Sequence, residues 1–438
     1  MEMNRSEQTP RSGMKLFFTL PILSWALYDF ANTIFSSNIN TVFFPFYLDA
    51  QIGGSAEMEQ VASTFISYAN AFASFLLVIF SPLYGVWIDR TGQKKKYIVW
   101  LALFSIIGTF LMGIFAQTEM AGEWFNLPIN LFFVILAFVA AKFFFNSSLV
   151  FYDTMLGDLG TKEEIPLISG FGVAVGYLGT IVGLTVYLFV QEGNPEQAFI
   201  PTAVMYLLFS LPLFFFLKDT PAKKVKKEHF LTGYKEIYAT FKEMKSYKNT
   251  FTFMLSYFFL NDAIATTIAI MAIYATAVVG FSSGQFIILY LGSTVFAVIG
   301  SFIFGYITKK TGAKIGVLLV SIILIIALTV AALATAQWMF WIAGALIGIA
   351  LGSMWVTSRT LIIDLTPHEK RGQFFGLFAF SGKVSSIIGP AVYGTITLNL
   401  REYGELASRI ALSSLIVMAV IGMLLLIKVK QPDTSYKA

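Results

Sequence analysis

SWALYDFANTIFSSNIN, Ser24 to Asn40, is the stretch from which the rest of the chain is best read. It is long and apolar enough to enter a bilayer, yet it carries an acid, amides and several hydroxyls. Asp29, Asn32, Thr33, Ser36 and Asn40 recur at helical intervals, which places them on one stripe of an α-helix. Lipid penalises such a stripe: an aspartate at mid-membrane costs about 2.5–3.5 kcal/mol. The stripe must therefore face other helices or a water-filled cavity. The expectation is a helix lining a substrate path, with the rest of the chain opening that path to alternate sides.

The whole sequence supports a membrane setting. Of 438 residues, 57% are hydrophobic and 13% are charged, against about 25% charged in ordinary soluble proteins. With 45 phenylalanines and a mean hydropathy of +0.73, many spans are expected, not one anchor. The absence of cysteine excludes disulfides, thiolate zinc sites and cysteine catalysis. The two histidines, His229 and His368, fall in charged loops. The net charge of +5 does not point to nucleic acid, because the basic residues sit in short loops where lysine and arginine set membrane topology.

Twelve apolar segments of spanning length can be drawn, at 17–48, 60–88, 97–117, 128–157, 167–190, 199–217, 249–279, 283–307, 313–336, 338–363, 373–397 and 407–429. One set of connections holds Arg5, Arg11, Lys15, Arg90, Lys94 to Lys96, the lysines from Lys218 to Lys248, Lys309, Lys310, Lys314, Lys370, Arg371, Lys428 and Lys430. The alternate set holds Asp49, Glu57, Glu59, Glu119, Glu123, Glu192 and Glu196, with only Arg401 and Arg409 as bases. The positive-inside rule then places both termini and the central loop in the cytoplasm. The expected organisation is a cytoplasmic tail at 1–16, a six-helix bundle at 17–218, a basic linker at 219–248, a second six-helix bundle at 249–430, and a tail at 431–438. In the linker, Phe230, Tyr234, Ile237, Tyr238 and Phe241 have the spacing of an amphipathic surface helix. A partly ordered tether reads equally well.

The halves share an internal repeat. Gly85-x6-Gly92 matches Gly305-x6-Gly312. Tyr152-x-Thr154-x3-Asp158-Leu159 parallels Ser358-x-Thr360-x3-Asp364-Leu365. Leu27-Tyr28-Asp29 with Thr33-Ile34 parallels Leu260-Asn261-Asp262 with Thr266-Thr267-Ile268. Two related halves with a path between them is a plan used by transporters.

The loop GVWIDRTGQKKK, Gly85 to Lys96, combines two glycines for a tight turn with Asp89 and Arg90. The acid is placed to pair with a helix N-terminus or a base, a contact that would break on gate opening. A solvated turn that only sets topology is the alternative. In the second copy, GYITKKTGAK, lysines replace the acid. Gly85-x3-Asp89-Arg90-x-Gly92 followed by lysines resembles the loop signature of the major facilitator superfamily. WALYDFANTIF, the Asn261-Asp262 pair, Ser358-Arg359-Thr360 and above all QFFGLFAFSGKVSSIIGP resemble the vacuole-effluxer-like (autophagy-related) permease branch of it. The resemblance runs over nearly the whole chain. It implies an all-α membrane protein with twelve helices in two pseudo-symmetric six-helix bundles, no enzymatic activity, and a link to amino-acid efflux. Where members usually carry a glutamine before the span-ten Ser-Arg pair, this chain has Met354-Trp355-Val356-Thr357.

Charges and amides inside spans mark the candidate site, since such groups normally face a cavity. Lys142 in span four shares a face with Asn146 and Asp153. Arg359 lies one turn after Trp355 in span ten, and Lys383 lies in span eleven beside Phe380 and Ser386. Asp29 and Asp262 are equivalent in the two halves. Span two adds Ser63, Ser67, Asn70 and Ser74 on one stripe. Substrate binding is thus expected at Asn32, Thr33, Ser36, Asn70, Lys142, Asn146, Asp262, Trp355, Arg359 and Lys383. Coupling or gating is expected at Asp29, Gly85, Asp89, Arg90, Gly92, Asp153, Gly305 and Gly312. Interhelical salt bridging, as between Lys142 and Asp29, is the competing explanation. Three bases favour an anionic group on the substrate, and two acids offer sites for an amine or a proton. Asp29 is the first candidate for the proton. Span five spaces Gly170, Gly172, Gly176, Gly179 and Gly183 for close helix packing.

Other chemistries find little support. Gly382-Lys383 lacks the glycine and hydroxyl of a phosphate loop, and neither a metal-ligand cluster nor a cofactor motif is present. The expected molecule is a monomeric multi-pass transporter of the plasma or bacterial inner membrane, acting on a small polar solute. An amphipathic lipid-like cargo is the alternative, and a receptor or membrane enzyme is a more distant one.

Overall fold

The computed structural model describes residues 14–52, 56–118, 120–124, 127–191, 194–219, 247–281, 283–403 and 405–430. These are helical almost throughout. In chain order the helices are α1 (Met14–Phe17), α2 (Leu20–Phe35), α3 (Phe44–Ile52), α4 (Ala56–Thr91), α5 (Lys95–Gln117), α6 (Ile129–Leu159), α7 (Ile165–Leu184), α8 (Phe199–Phe216), α9 (Lys248–Val279), α10 (Ser283–Thr311), α11 (Ala313–Leu333), α12 (Gln337–Leu365), α13 (Arg371–Asn399) and α14 (Glu405–Lys428). A two-residue hairpin pairs Glu123 with Pro128 and Trp124 with Leu127, between α5 and α6. The expected amphipathic linker helix falls outside the described residues, as do the side chains of Ser63, Ser67 and Asn70.

Among the described residues ten helices are long and apolar enough to cross a membrane. A bent pair, Phe72–Ser81 and Leu83–Thr91, makes an eleventh span with a 41° break at Pro82, a residue that has no N–H to give to the helix. The first expected span is also present as helix, but in three pieces. The 16 residues of α2 run into a π-helix at Ser36–Phe43 and then into α3, so no α-helix there reaches spanning length by itself. The π-winding has a local cause. Ser37 Oγ donates back to the carbonyls of Thr33 (2.9 Å) and Ile34 (3.2 Å), competing with the α-helical ladder. Pro45, just beyond, has no N–H to restore it. Thr41 Oγ1 reaches back five residues to Ser36 O at 3.1 Å.

The chain divides into two compact units. The first holds Phe17–Met155 together with the helices from Val175 through α8. The second holds the C-terminal helices together with Leu156–Ala174, the end of α6 and the start of α7. In the first unit α8 packs on α2 and α5. There Trp25 stacks on Tyr152 (4.7 Å between centroids, 8° between planes) and donates Nε1–H to Tyr152 O at 3.3 Å. In the second unit α10 and α11 pack on α12, and α9 packs on α13 and α14. Large apolar side chains such as Trp100, Phe215, Ile326 and Leu424 stand exposed, the reverse of a water-facing surface and natural for one solvated by lipid.

The repeated Gly-x6-Gly motif separates into two jobs. Only its second glycine makes the turn: Gly92 has φ 67° and Gly312 φ 88°, values that side chains with a Cβ strongly disfavour. The first glycine lies inside a helix. Gly305 comes so close to α7 that a Cβ on it would lie 3.0 Å from Pro166 O and 3.4 Å from Gly170 Cα. After the Gly92 turn, the N-terminus of α5 is capped from a distance. Asp219 accepts the backbone N–H groups of Lys94 (2.8 Å), Lys95 (3.3 Å) and Lys96 (3.1 Å), satisfying donors that a helix start leaves open. Buried Lys94 then spends its Nζ on Thr154 O at 3.2 Å.

Candidate functional site

The polar stripe of the first span meets the glycines of α7. A Cβ on Gly176 would lie 3.0 Å from Asp29 Oδ2 and 3.2 Å from Thr33 Oγ1. One on Gly179 would overlap Phe30 O, and one on Gly183 would lie 3.1 Å from Asn38 Oδ1. Glycine every three or four residues lets the two backbones approach, and that approach brings α7 onto the acid. Asp29 is 9% exposed. Thr33 Oγ1 donates to Asp29 O at 2.8 Å, so its hydroxyl proton is held by the helix backbone.

The stripe does not act as one surface. Asn32, 3% exposed, is turned toward α8, where its Oδ1 accepts the Tyr206 hydroxyl at 3.0 Å. Its Nδ2 has no partner among the described residues. Ser36 opens the π-helix and is half-buried. Beyond it the π-winding rotates the later residues off the α-helical stripe and makes Asn38, not Asn40, the buried hub. Asn38 Nδ2 donates to Gly183 O at 2.8 Å and Thr202 Oγ1 at 3.0 Å. Sequence periodicity missed Asn38 because it assumed 3.6 residues per turn throughout; the signal available was the Ser-Ser-Asn run before Pro45.

The second unit carries a matching seam between α9 and α13. Asp262, 1% exposed, accepts the Gly389 N–H at 2.9 Å on Oδ1, and a Cβ on Gly389 would lie 2.6 Å from that oxygen. Thr266 Oγ1 points to the same oxygen at 3.5 Å. The repeat therefore extends beyond what the sequence reading matched: an Asp-x3-Thr on the first helix of each half faces a glycine on the fifth. Pro390 follows Gly389 inside α13, a place where a proline disturbs the helical ladder. Immediately before Asp262 on α9, Asn261 donates from Nδ2 to Gly382 O (2.8 Å) and Ser385 Oγ (2.9 Å), while its Oδ1 accepts from Tyr257 OH at 3.1 Å.

The expected bases are spread over three helices. Lys142 Nζ on α6 sits 5.7 Å from the centre of the Phe138 ring, with buried Asn146 one turn further and Asp153 half-buried beyond it. Arg359 on α12 is 6% exposed, and its guanidinium lies 5.6 Å from the Trp355 ring. Lys383 is half-buried on α13. No ion pair joins Asp262 to Arg359 or Lys383 among the described residues, so these three are not brought together as a salt-bridged cluster. Asp89 and Arg90 are half-buried at the end of α4, and Gly85 is buried within it. Arg371, read from sequence as a topology charge, is instead 9% exposed, and its Nη1 donates to Gly157 O at 3.3 Å. Among the described residues no group of three or more His, Asp or Glu could hold a metal ion.

Residues 50–435 match the family described as vacuole effluxer Atg22 like. An uncharacterized MFS-type transporter, YxiO, of Bacillus subtilis (strain 168) is 26% identical over 430 residues, covering 95% of this chain and 96% of that one. Autophagy-related protein 22 of Kluyveromyces lactis is 24% identical over 337 residues, covering 69% and 67%. Among solved structures, a bacterial homologue of the iron transporter ferroportin in an outward-facing state superposes with a TM-score of 0.72 at 14% identity, covering 93% of this chain and 98% of that one. The human organic anion transporter MFSD10 superposes at 0.67 with 12% identity, covering 95% and 100%. Helix content, spans, paired Asp/Gly seams and these likenesses agree: the chain belongs to the Atg22-like vacuole effluxer family, is a multi-pass membrane protein of the major facilitator fold, and is a transporter, not an enzyme.

Proposed function

We propose that the protein is a secondary active transporter of a small anionic or zwitterionic metabolite, amino acids first, working by alternating access and coupled to protons. The observation that carries this reading is the set of charges retained within spans: Lys142, Arg359 and Lys383 as bases, Asp29 and Asp262 as acids. Each costs several kcal/mol in lipid and is kept only where it has work to do. An amino acid offers a carboxylate to the bases and an amine to an acid. Arg359 beside Trp355, and Lys142 beside Phe138, are cations set against ring faces, which orients them within their spans. The match to a family described as effluxers supports transport of a solute out of a compartment.

In this reading the bundles at 17–218 and 249–430 are the two halves of an alternating-access cycle. Asp89, Arg90 and the Gly92 turn, with Asp153, Gly305 and Gly312, serve the cytoplasmic gate. Both termini face the cytoplasm, the working unit is a monomer, and the membrane is the plasma or bacterial inner membrane. Asn70 belongs to the substrate set on its sequence stripe alone.

A second reading, an amphipathic lipid-like cargo, draws on one observation. Phe251, Met254, Leu255 and Phe258 of α9, with Leu377, Phe380, Ser381 and Val384 of α13, line an apolar groove on the turns next to Lys383. A thermal-shift panel on purified protein separates the two. Stabilisation by amino acids, dipeptides or small carboxylates supports the first reading; stabilisation by lysolipids alone replaces it with the second.

A further inference from the structure

The two equivalent acids are not equally placed, and the difference points to one of them. Asp262 sits midway along α9 at 1% exposure. Its contacts are two donors on one oxygen: the Gly389 N–H at 2.9 Å and the Thr266 hydroxyl at 3.5 Å, both on Oδ1. Oδ2 is buried and has no partner among the described residues. An ionised carboxylate in that position would bury a full charge against one N–H and one long hydroxyl contact. Such a charge costs several kcal/mol when it is unpaired.

The charged and titratable groups on the elements packed against α9 do not supply the missing partner. On α13, Lys383 precedes Gly389 by six residues, which turns it about 120° away from the face that meets Asp262 and sets it about 9 Å along the axis. Arg371 opens α13 and reaches Gly157, and Tyr393 lies beyond Pro390. On α14, Arg409 is held by Ala332 O at 2.8 Å and Glu405 at 4.0 Å near one end, and Lys428 closes the other. On α12, Arg359 lies against Trp355 about two turns from the helix end, with Asp364 after it. On α10, Lys309 and Lys310 fall in the last turn, and Tyr290 and Tyr306 lie elsewhere along the helix. Along α9 itself, Lys248 opens the helix and Tyr257 and Tyr274 hydrogen-bond to Asn261 and Ala331.

We propose that Asp262 is a proton-binding site: in this state a proton rides on Oδ2, while Oδ1 stays the acceptor for Gly389 and Thr266. A protonated carboxyl keeps acceptor capacity on Oδ1 and carries no charge, so a buried Oδ2 without a partner costs far less than it would on a carboxylate. A metal cation fits less well, because the donors already on Oδ1 would repel it and, among the described residues, no group of three or more His, Asp or Glu gathers there. Pro390 makes the partner segment of α13 a natural place for the helix to flex. Movement there would withdraw the Gly389 N–H and open Oδ2, linking proton release to a change of state. The purpose of the site rests on the transport reading; its existence does not, and it gives the coupling role to Asp262 ahead of Asp29.

The test is ligand-free. Infrared difference spectra of the purified protein in lipid nanodiscs, recorded against pH, should contain a buried carboxylic-acid C=O band that titrates. Asp262→Asn should remove that band, Asp29→Asn should leave it, and Thr266→Val should shift its frequency by removing the hydroxyl on Oδ1. The last variant keeps the test decisive if Asp262→Asn does not fold. A band unchanged in both Asp262→Asn and Thr266→Val overturns the proposal. So does a band that responds to sodium at fixed pH and not to pH, which would make the site a cation site. Because no substrate is added, an absent transport activity with the band present would refute the transport reading and leave the proton site standing.

Discussion

Gly179→Ala should loosen the first unit although it adds a single methyl group. A Cβ at Gly179 overlaps Phe30 O and lies 3.0 Å from both Phe30 C and Cα. All three obstacles are backbone atoms of α2, so no side chain can rotate away, and α2 and α7 must separate. Against this stands a gain of about 0.8–1.0 kcal/mol from replacing glycine by alanine within a helix. Overpacking a close contact costs about 1–3 kcal/mol, and rigid backbone places this case at the upper end, for a net loss of about 1–2 kcal/mol. Gly394→Ala is the control: it makes the same chemical change inside α13, where nothing lies within 4 Å of the new Cβ. It should be neutral or up to about 1 kcal/mol stabilising. Gly176→Ala should fall between them, because its neighbours are the side-chain oxygens of Asp29 and Thr33 at 3.0 and 3.2 Å. Unfolding in mixed micelles with rising SDS, followed by tryptophan fluorescence, ranks the three. If Gly179→Ala proves as stable as Gly394→Ala, the glycine seam is not the close contact claimed here, and Asp29 is not positioned by it.

Other expectations follow from single contacts. Asp219→Ala removes the cap from three N–H groups at the start of α5 and should cost about 0.5–2 kcal/mol, with Asp219→Asn recovering part of it in thermal unfolding. Gly312→Ala, at φ 88° and ψ 154°, should cost about 1–3 kcal/mol. Gly92→Asn at φ 67° should be milder, since asparagine tolerates the left-handed region; equal losses would contradict the assigned turns. Asn38→Ala strips the partners from Gly183 O and Thr202 Oγ1 and should destabilise by about 1–3 kcal/mol, whereas Thr41→Ala, exposed on the same π-helix, should stay near wild type.

How much of this was legible in the sequence varies with the physics involved. Span existence and the two-half plan follow from hydropathy and repetition, which depend on composition over long windows. The spacing of Gly176, Gly179 and Gly183 announced a close helix contact, and the structure supplied the partner, α2. The repeat placed Asp29 opposite Asp262, but not Gly176 opposite Gly389, because that match is carried by one glycine in otherwise dissimilar helices. The polar stripe was only half legible. Asp29 and Thr33 do face α7 together, while Asn32 turns to Tyr206 and the π-helix exchanges Asn38 for Asn40. A change in helical winding arises from side chains bonding to the preceding turn, and a fixed period cannot express it. Arg371 read as a loop charge, and the capping role of Asp219 did not show at all, because sequence gives no distance between a loop and a remote helix end.

Counterflow in proteoliposomes reads amino-acid exchange by the protein itself. Vesicles loaded with unlabelled amino acids should draw in a labelled amino acid above its external concentration, and Arg359→Gln and Lys383→Gln should each reduce that uptake at least tenfold, equivalent to about 1.4 kcal/mol of lost interaction. Full counterflow in both variants, or none in the wild type for any amino acid or small carboxylate while a labelled lysolipid crosses, would contradict the account.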